Sequence, residues 1–163
     1  MFDCYNLSMN IKLTKPKYKD LYLRTKLLQD KNTMSFNHDY GGTVAFNESD
    51  YKVWYEKWIN GDDRYYYYVY MNDIFVGEAA YYLSNGKYMI SIIIDSNYRN
   101  IGIGNAVLNL LIDDAKQKGI NELYDEIAID NPAINLFLKN SFMIVLSVLI
   151  TILLIVLIVA IAF

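Results

Sequence analysis

Ile92-Ile93-Ile94-Asp95-Ser96-Asn97-Tyr98-Arg99-Asn100-Ile101-Gly102-Ile103-Gly104-Asn105 is the stretch on which the reading of this chain turns. The isoleucines read as a strand and the polar run after them as a loop. The two glycines open a helix carried by Ile103, Val107, Leu110, Leu111 and Ala115, with Gly119 just past its end. A loop that feeds a helix start brings several backbone N–H groups together, and the helix dipole favours negative charge there. The expected geometry is a cradle for a phosphate or pyrophosphate. No Gly-Lys-Ser/Thr follows, which excludes a Walker A loop. Gly102-x-Gly104 with Glu122 about 20 residues on resembles a dinucleotide fingerprint at first sight. That reading fails because the third glycine position is Val107 and the preceding strands are joined by tight hairpins, not by a βαβ crossover.

Upstream, Asn72-Asp73 and Asn85-Gly86 separate three runs of β-branched and aromatic residues, Arg64 to Met71, Ile74 to Leu83 and Tyr88 to Ile94. Such pairs suit the positive φ of two-residue hairpin turns, so the three runs form an antiparallel meander. Further back, Asn10 to Leu13 reads as a short strand and Pro16 opens a helix to about Gln29. Asp30 to Phe46 has no clear period. Asn47 caps a second helix in which Tyr51, Trp54, Tyr55 and Trp58 share one face. Downstream, Ile120 to Ile129 reads as a strand, and Asn131-Pro132 starts a helix running to about Asn140. The order is β, α, α, β, β, β, α, β, α, with no repeat and no Gly/Ser- or Pro-rich linker.

Arg99-Asn100-Ile101-Gly102-Ile103-Gly104 matches Arg/Gln-x-x-Gly-x-Gly/Ala, and Asp130-Asn131-Pro132-Ala133-Ile134-Asn135-Leu136-Phe137-Leu138-Lys139-Asn140-Ser141-Phe142 is similar to Asn-x-x-Ala-x-x-Leu-Tyr-x-Lys-x-Gly-Phe. On these two signatures and the order of elements, residues 9–141 resemble the GNAT superfamily of N-acetyltransferases. The resemblance implies an α+β fold of three layers, a mixed and mostly antiparallel sheet flanked by helices. It implies acetyl-CoA as co-substrate and an amine as acceptor, with no metal. The amides of Asn100, Ile101, Gly102, Ile103, Gly104 and Asn105, with Arg99, would hold the pyrophosphate. The edge of Ile92, Ile93 and Ile94 would carry the pantetheine arm, and Asn131 or Asn135 would bond its amides.

Acetyl transfer to an amine needs the amine neutral, the carbonyl oxygen stabilised and the thiolate able to leave. The candidate bases are Glu78, in an otherwise apolar and aromatic strand; Glu126, on the strand expected to splay from Ile92–Ile94; and His38, in the acceptor-side loop. Phe137 stands where the family often has a tyrosine as general acid, and Ser141 where it has glycine. These departures keep a non-catalytic, CoA-binding role open as the alternative.

The chain has 163 residues, 15 Lys+Arg, 18 Asp+Glu and a formal net charge of −3. With no Lys/Arg run, this argues against a phosphate-neutralising nucleic-acid binder. One cysteine, Cys4, and one histidine build neither an intrachain disulfide nor a zinc site. Met1 to Ser8 lacks the basic start and apolar core of a secretory signal.

The apolar fraction of 54% exceeds a soluble average of roughly 45–50%. The excess sits in residues 142–163, where 20 of 22 are apolar and none is charged. As a helix this tail would be about 33 Å long, against a hydrocarbon core of about 30 Å. The expectation is a C-terminal single-pass transmembrane helix with the acetyltransferase domain in the cytoplasm. The alternative is an altered reading frame in place of the family's last two strands, with the domain then cytoplasmic and untethered.

Overall fold

The computed structural model describes residues 9–128, 130–140, 143–149 and 152–160. Its strands are β1 (Ile11–Thr14), β2 (Arg64–Met71), β3 (Ile74–Ser84), β4 (Lys87–Ile94), β5 (Glu122–Ala128), β6 (Met143–Leu149) and β7 (Ile152–Ala160). Its α-helices are α1 (Leu21–Gln29), α2 (Tyr51–Trp58), α3 (Ile103–Gln117) and α4 (Ile134–Lys139). The strands form one sheet in the order β1-β2-β3-β4-β5-β7-β6. All pairings are antiparallel except β4 with β5. The mixed α+β sheet expected from the sequence is therefore present.

Local chemistry explains the meander. Asn72 and Asp73 have φ of 48° and 65°, and Asn85 and Gly86 have 50° and 77°, the left-handed pairs that the two hairpin turns require. Between Val69 and Tyr70 the β2–β3 register shifts and passes over Val76. Because side chains alternate along a strand, this bulge resets which face each β3 residue uses. Phe75 and Ala80 pack on the α2 side, whereas Val76, Ala79 and Tyr81 enter the α3 core. Gly77 lies against β4 so closely that a Cβ there would sit 2.2 Å from the Ile93 carbonyl oxygen.

One core lies between α3 and the sheet, with Val107, Leu108, Leu111 and Ala115 against Val69, Tyr81, Ile90 and Leu123. The other face is covered by α1 through Leu21 and Leu28, by Met34 and Phe46 of the segment between the helices, and by α2 through Trp54 and Trp58 against Tyr66. On the α3 side, Asp114 accepts hydrogen bonds from the Tyr67 hydroxyl at 2.7 Å and the Tyr81 hydroxyl at 2.5 Å, and one from the Lys118 ammonium.

The tail departs from the expected transmembrane helix. Its described residues are strands: β6 pairs with β7, and β7 with β5, both antiparallel. Among the described residues no helix is long and apolar enough to cross a membrane. The physical reason lies in residue type and in the neighbouring sheet edge. Half of residues 142–163 are Ile, Val or Thr, whose branched side chains favour extended backbone. The edge of β5 offers backbone groups that a helix would leave unpaired. Ile129, Ser141, Phe142, Cys4 and the short connection between β6 and β7 lie outside the described residues.

Candidate active site

The loop after β4 is tied down at three points. Asp95 accepts from the Asn97 amide at 2.9 Å, and the Thr33 hydroxyl accepts from the Ser96 amide at 3.0 Å. Arg99 donates through Nε to the Ile94 carbonyl at 2.9 Å and through Nη2 to the Thr33 carbonyl, with its guanidinium 5.6 Å from the Phe36 ring centre. Burial lowers the Arg99 pKa against the pull of Asp95 and Asp30. Arg99 thus lashes the loop to the Thr33–Phe36 segment, and the amides of Ser96, Asn97 and Tyr98 are spent within this anchor, so a ligand is left to the amides that follow, at the start of α3.

Asn100 and Gly102 take φ of 64° and 94°. Gly102 caps α3 without a side-chain hydrogen bond, and the first bond of the helix runs from the Ala106 amide to the Gly102 carbonyl at 3.2 Å. The amides of Ile103, Gly104 and Asn105 precede that bond and have no intrahelical acceptor, which is the donor set an anion needs. A Cβ on Gly104 would lie 3.3 Å from Leu136 Cδ2, so α4 packs directly against the cradle. Asn140 Nδ2 reinforces this by donating to Asn105 Oδ1 at 3.0 Å. Ile101 is exposed and Ile103 is buried in the α3 core.

Beside the cradle the sheet opens. Among the described residues, the one matched pair between β4 and β5 is Met89 with Tyr124. Ile92, Ile93 and Ile94 are paired to β3 on their other side. Ile92 and Ile94 pack into the α3 core and Ile93 into the α1 side, leaving the β5-facing backbone edge of these residues without a strand partner among the described residues.

On the α1–α2 face beside β4 lies a cleft of about 210 Å³, lined by Arg24, Trp58, Tyr66, Glu78, Tyr82 and Ser91 among others. Glu78 is buried at 4% exposure. Its Oε1 accepts from Arg24 Nη1, which also donates to the Tyr66 hydroxyl oxygen. The Arg24 guanidinium stands 5.0, 4.7 and 5.4 Å from the ring centres of Phe46, Trp54 and Tyr66. Burial works against its charge, but Glu78, Tyr66 and Tyr68 outweigh it and hold the Arg24 pKa above its ordinary value. Burial, followed by the Glu78 charge, pushes Tyr66 well up, so its hydroxyl keeps its proton. Glu78 Oε2 and Arg24 Nε are buried without a hydrogen-bond partner.

Of the three candidate bases, Glu78 alone lines this cleft. Glu126 is exposed, and Met89 paired with Tyr124 puts it on the same sheet face as Ser91 and Ile93, at the rim. Burial raises the pKa of its neighbour Asp125 well above its ordinary value, against a hydrogen bond from the Glu126 amide and with the Glu126 charge adding to the rise. His38 sits in the 3-10 turn Ser35–Tyr40, with Nε2 3.7 Å from Asp130 Oδ2 just before α4. Asn131 Oδ1 accepts from the Ala133 amide at 3.0 Å and so shapes the approach to α4, while Asn135 is exposed on that helix. Phe137 is buried in the α3 core.

Sequence reading missed Arg24, Tyr66, Tyr82 and Ser91, while Trp58 belongs to the aromatic face of Tyr51 to Trp58 that the sequence offers as either pocket wall or core. A signal for Arg24 was present: it lies three residues after Leu21 and four before Leu28, on the buried face of α1. Tyr66 was hidden in a run of four tyrosines whose faces only the register separates.

No curated protein sequence matches the chain. Among solved structures, an N-acetyltransferase from Staphylococcus aureus Mu50 aligns at 20% identity and TM-score 0.71, covering 91% of this chain and 96% of that one. A spermidine N-acetyltransferase from Vibrio cholerae in complex with CoA and spermine aligns at 19% identity and TM-score 0.72, covering 91% and 92%. A PaiA N-acetyltransferase from Thermoplasma acidophilum in complex with coenzyme A aligns at 14% identity and TM-score 0.64, covering 91% and 98%. Residues 26–142 match the acetyltransferase (GNAT) family. The cradle, the splayed strands and that match converge on one statement: the chain is a member of the GNAT acetyltransferase family.

Proposed function

We propose that this protein moves an acetyl group from acetyl-CoA to an amine bound in the cleft beside β4, with Glu78 as the base. The observation that carries the reading is a juxtaposition: the uncapped N-terminus of α3 and the β4–β5 splay lie at one end of β4, and Glu78 is paired with Ile93 of that strand. The structures with CoA in the same fold support the choice of co-substrate.

The amides of Ile103, Gly104 and Asn105 bind the pyrophosphate, and the free edge of β4 receives the pantetheine as an added strand would be received. Acetyl-CoA supplies the thioester carbonyl. Glu78 accepts the proton of the incoming ammonium on the oxygen that Arg24 leaves unused, and Arg24 holds the carboxylate in place. The amine nitrogen then bonds the acetyl carbon and the C–S bond breaks. The nitrogen's second proton leaves as the amide forms and passes through water to the departing sulfur, since Phe137 has none to give. An ordinary thiol has a pKa of about 8.5, so a thiolate is a tolerable leaving group near neutral pH.

Thiol release from acetyl-CoA over a panel of amines, with calorimetric binding of CoA, tests the reading. Amine-dependent release is expected. CoA binding without release on any amine would instead favour a CoA-binding role, for which the buried Phe137 is the supporting observation.

A further inference from the structure

The charge inventory of the cleft restricts its acceptor. Among the described residues lining it, Arg24 and Glu78 are the only charged ones, and they are paired with each other. Most of the remaining wall is apolar or aromatic, including Met34, Val44, Trp58, Tyr82 and Ile93. The ring faces on which a second cation would rest are already attended by the chain's own arginines. Arg24 stands over Phe46, Trp54 and Tyr66. Arg64 lies 4.9 Å from the Trp58 ring centre and 5.7 Å from that of Tyr82. At about 210 Å³ the space is below the roughly 300–1,000 Å³ of drug-sized ligand sites.

Building on the transfer reading above, we infer that the acceptor is a small monoamine whose remaining part is uncharged and apolar, such as an arylalkylamine, and not a polyamine or an amino acid. One ammonium meets one carboxylate oxygen, that of Glu78. A second ammonium would leave water for a cleft that offers it no further carboxylate and two nearby guanidinium groups. A carboxylate on the acceptor would lie beside Glu78, while the Arg24 charge is already compensated. Desolvating a charge without a partner is costly, whereas an aryl or alkyl body gains by leaving water against Trp58 and Tyr82. Glu126 at the rim is exposed, so its charge remains screened by water and counter-ions.

The full-length chain is tested with 2-phenylethylamine, butylamine, 1,4-diaminobutane, spermidine, phenylalanine and a lysine-bearing peptide. Thiol release reads transfer. Tryptophan fluorescence reads occupancy without transfer, because both tryptophans, Trp54 and Trp58, border the Arg24 and Tyr66 cluster. The expected result is at least tenfold tighter occupancy, and at least tenfold higher kcat/KM, for 2-phenylethylamine than for the diamine, spermidine or phenylalanine. Ser91→Asp, which adds an unpaired carboxylate to the wall, should narrow the gap between 2-phenylethylamine and 1,4-diaminobutane about tenfold. Monoamine-selective occupancy without thiol release would support this acceptor class while rejecting the transfer reading. Equal or better occupancy by the diamine, spermidine, phenylalanine or the peptide overturns the acceptor class and leaves transfer intact, and so does the absence of occupancy by any monoamine.

Discussion

Arg24 and Glu78 form a buried ion pair on the floor of the candidate cleft, Nη1 of one donating to Oε1 of the other, with side-chain exposures of 15% and 5%. Removing either partner has a different consequence, because one is proposed to do chemistry and the other to hold it.

Glu78→Gln keeps an oxygen for Arg24 to bond and removes the proton acceptor. The expected loss in kcat is roughly 10²–10⁴-fold, the usual worth of a general base, with CoA affinity unchanged by calorimetry. A variant that retains full kcat would remove Glu78 from the mechanism.

Arg24→Leu strands a carboxylate in an aromatic pocket. Breaking a buried pair in this way costs about 3–5 kcal/mol, read as a lowered urea midpoint. The double variant Arg24→Leu/Glu78→Leu should recover part of that loss, since no uncompensated charge remains. A double variant as unstable as the sum of the two single ones would mean that the pair contributes nothing as a pair.

Gly77→Ala places a methyl group where the Ile93 carbonyl oxygen would be 2.2 Å away. Backbone cannot yield as a flexible side chain can, so β3 and β4 must separate. The expected destabilisation is more than about 4 kcal/mol, at the exceptional end for a single substitution. A melting temperature within a few degrees of the parent would show that the two strands are further apart than described.

Asp114 sets an acid limit on stability. Burial raises its pKa, but hydrogen bonds from Lys118, Tyr81 and Tyr67 outweigh this and hold it below the ordinary carboxylate value. A depressed folded-state pKa means that this contribution is complete above the unfolded value of about 3.9 and is lost as pH falls through the folded one. The difference in urea midpoint between parent and Asp114→Asn should be constant from pH 7 to 5 and shrink below about pH 4. A difference that grows on acidification would reverse the sign of the linkage.

Much of the framework was readable because its determinants are local. Asn72-Asp73 and Asn85-Gly86 need positive φ, and Gly102 needs it again at the entry to α3, so turns and cradle could be placed from residue type alone. Determinants that act across the chain were less visible. The tail between 142 and 163 is apolar enough to be a helix, and its β-branched residues turn to strands where the edge of β5 offers a partner. Glu78, Glu126 and His38 all stand as sequence candidates, with Glu78 ahead for its apolar and aromatic strand. The sheet register and the path of α1 separate them, placing Glu78 in the cleft and the other two at exposed positions. Arg24 carried a positional signal on α1, but its partner is 54 residues away.

In the proposed mechanism the cleft holding Glu78 and the cradle at Gly102–Gly104 work as one transferase site. Initial rates of thiol release from acetyl-CoA with 2-phenylethylamine, for the parent, Glu78→Gln and Gly104→Glu, test it most directly. The parent should release thiol only when the amine is present. Glu78→Gln should lose kcat with unchanged CoA binding, and Gly104→Glu should bind CoA at least tenfold more weakly, because its side chain would bring negative charge to the uncapped amides and crowd Leu136. Parental CoA affinity in Gly104→Glu, together with parental kcat in Glu78→Gln, would contradict it.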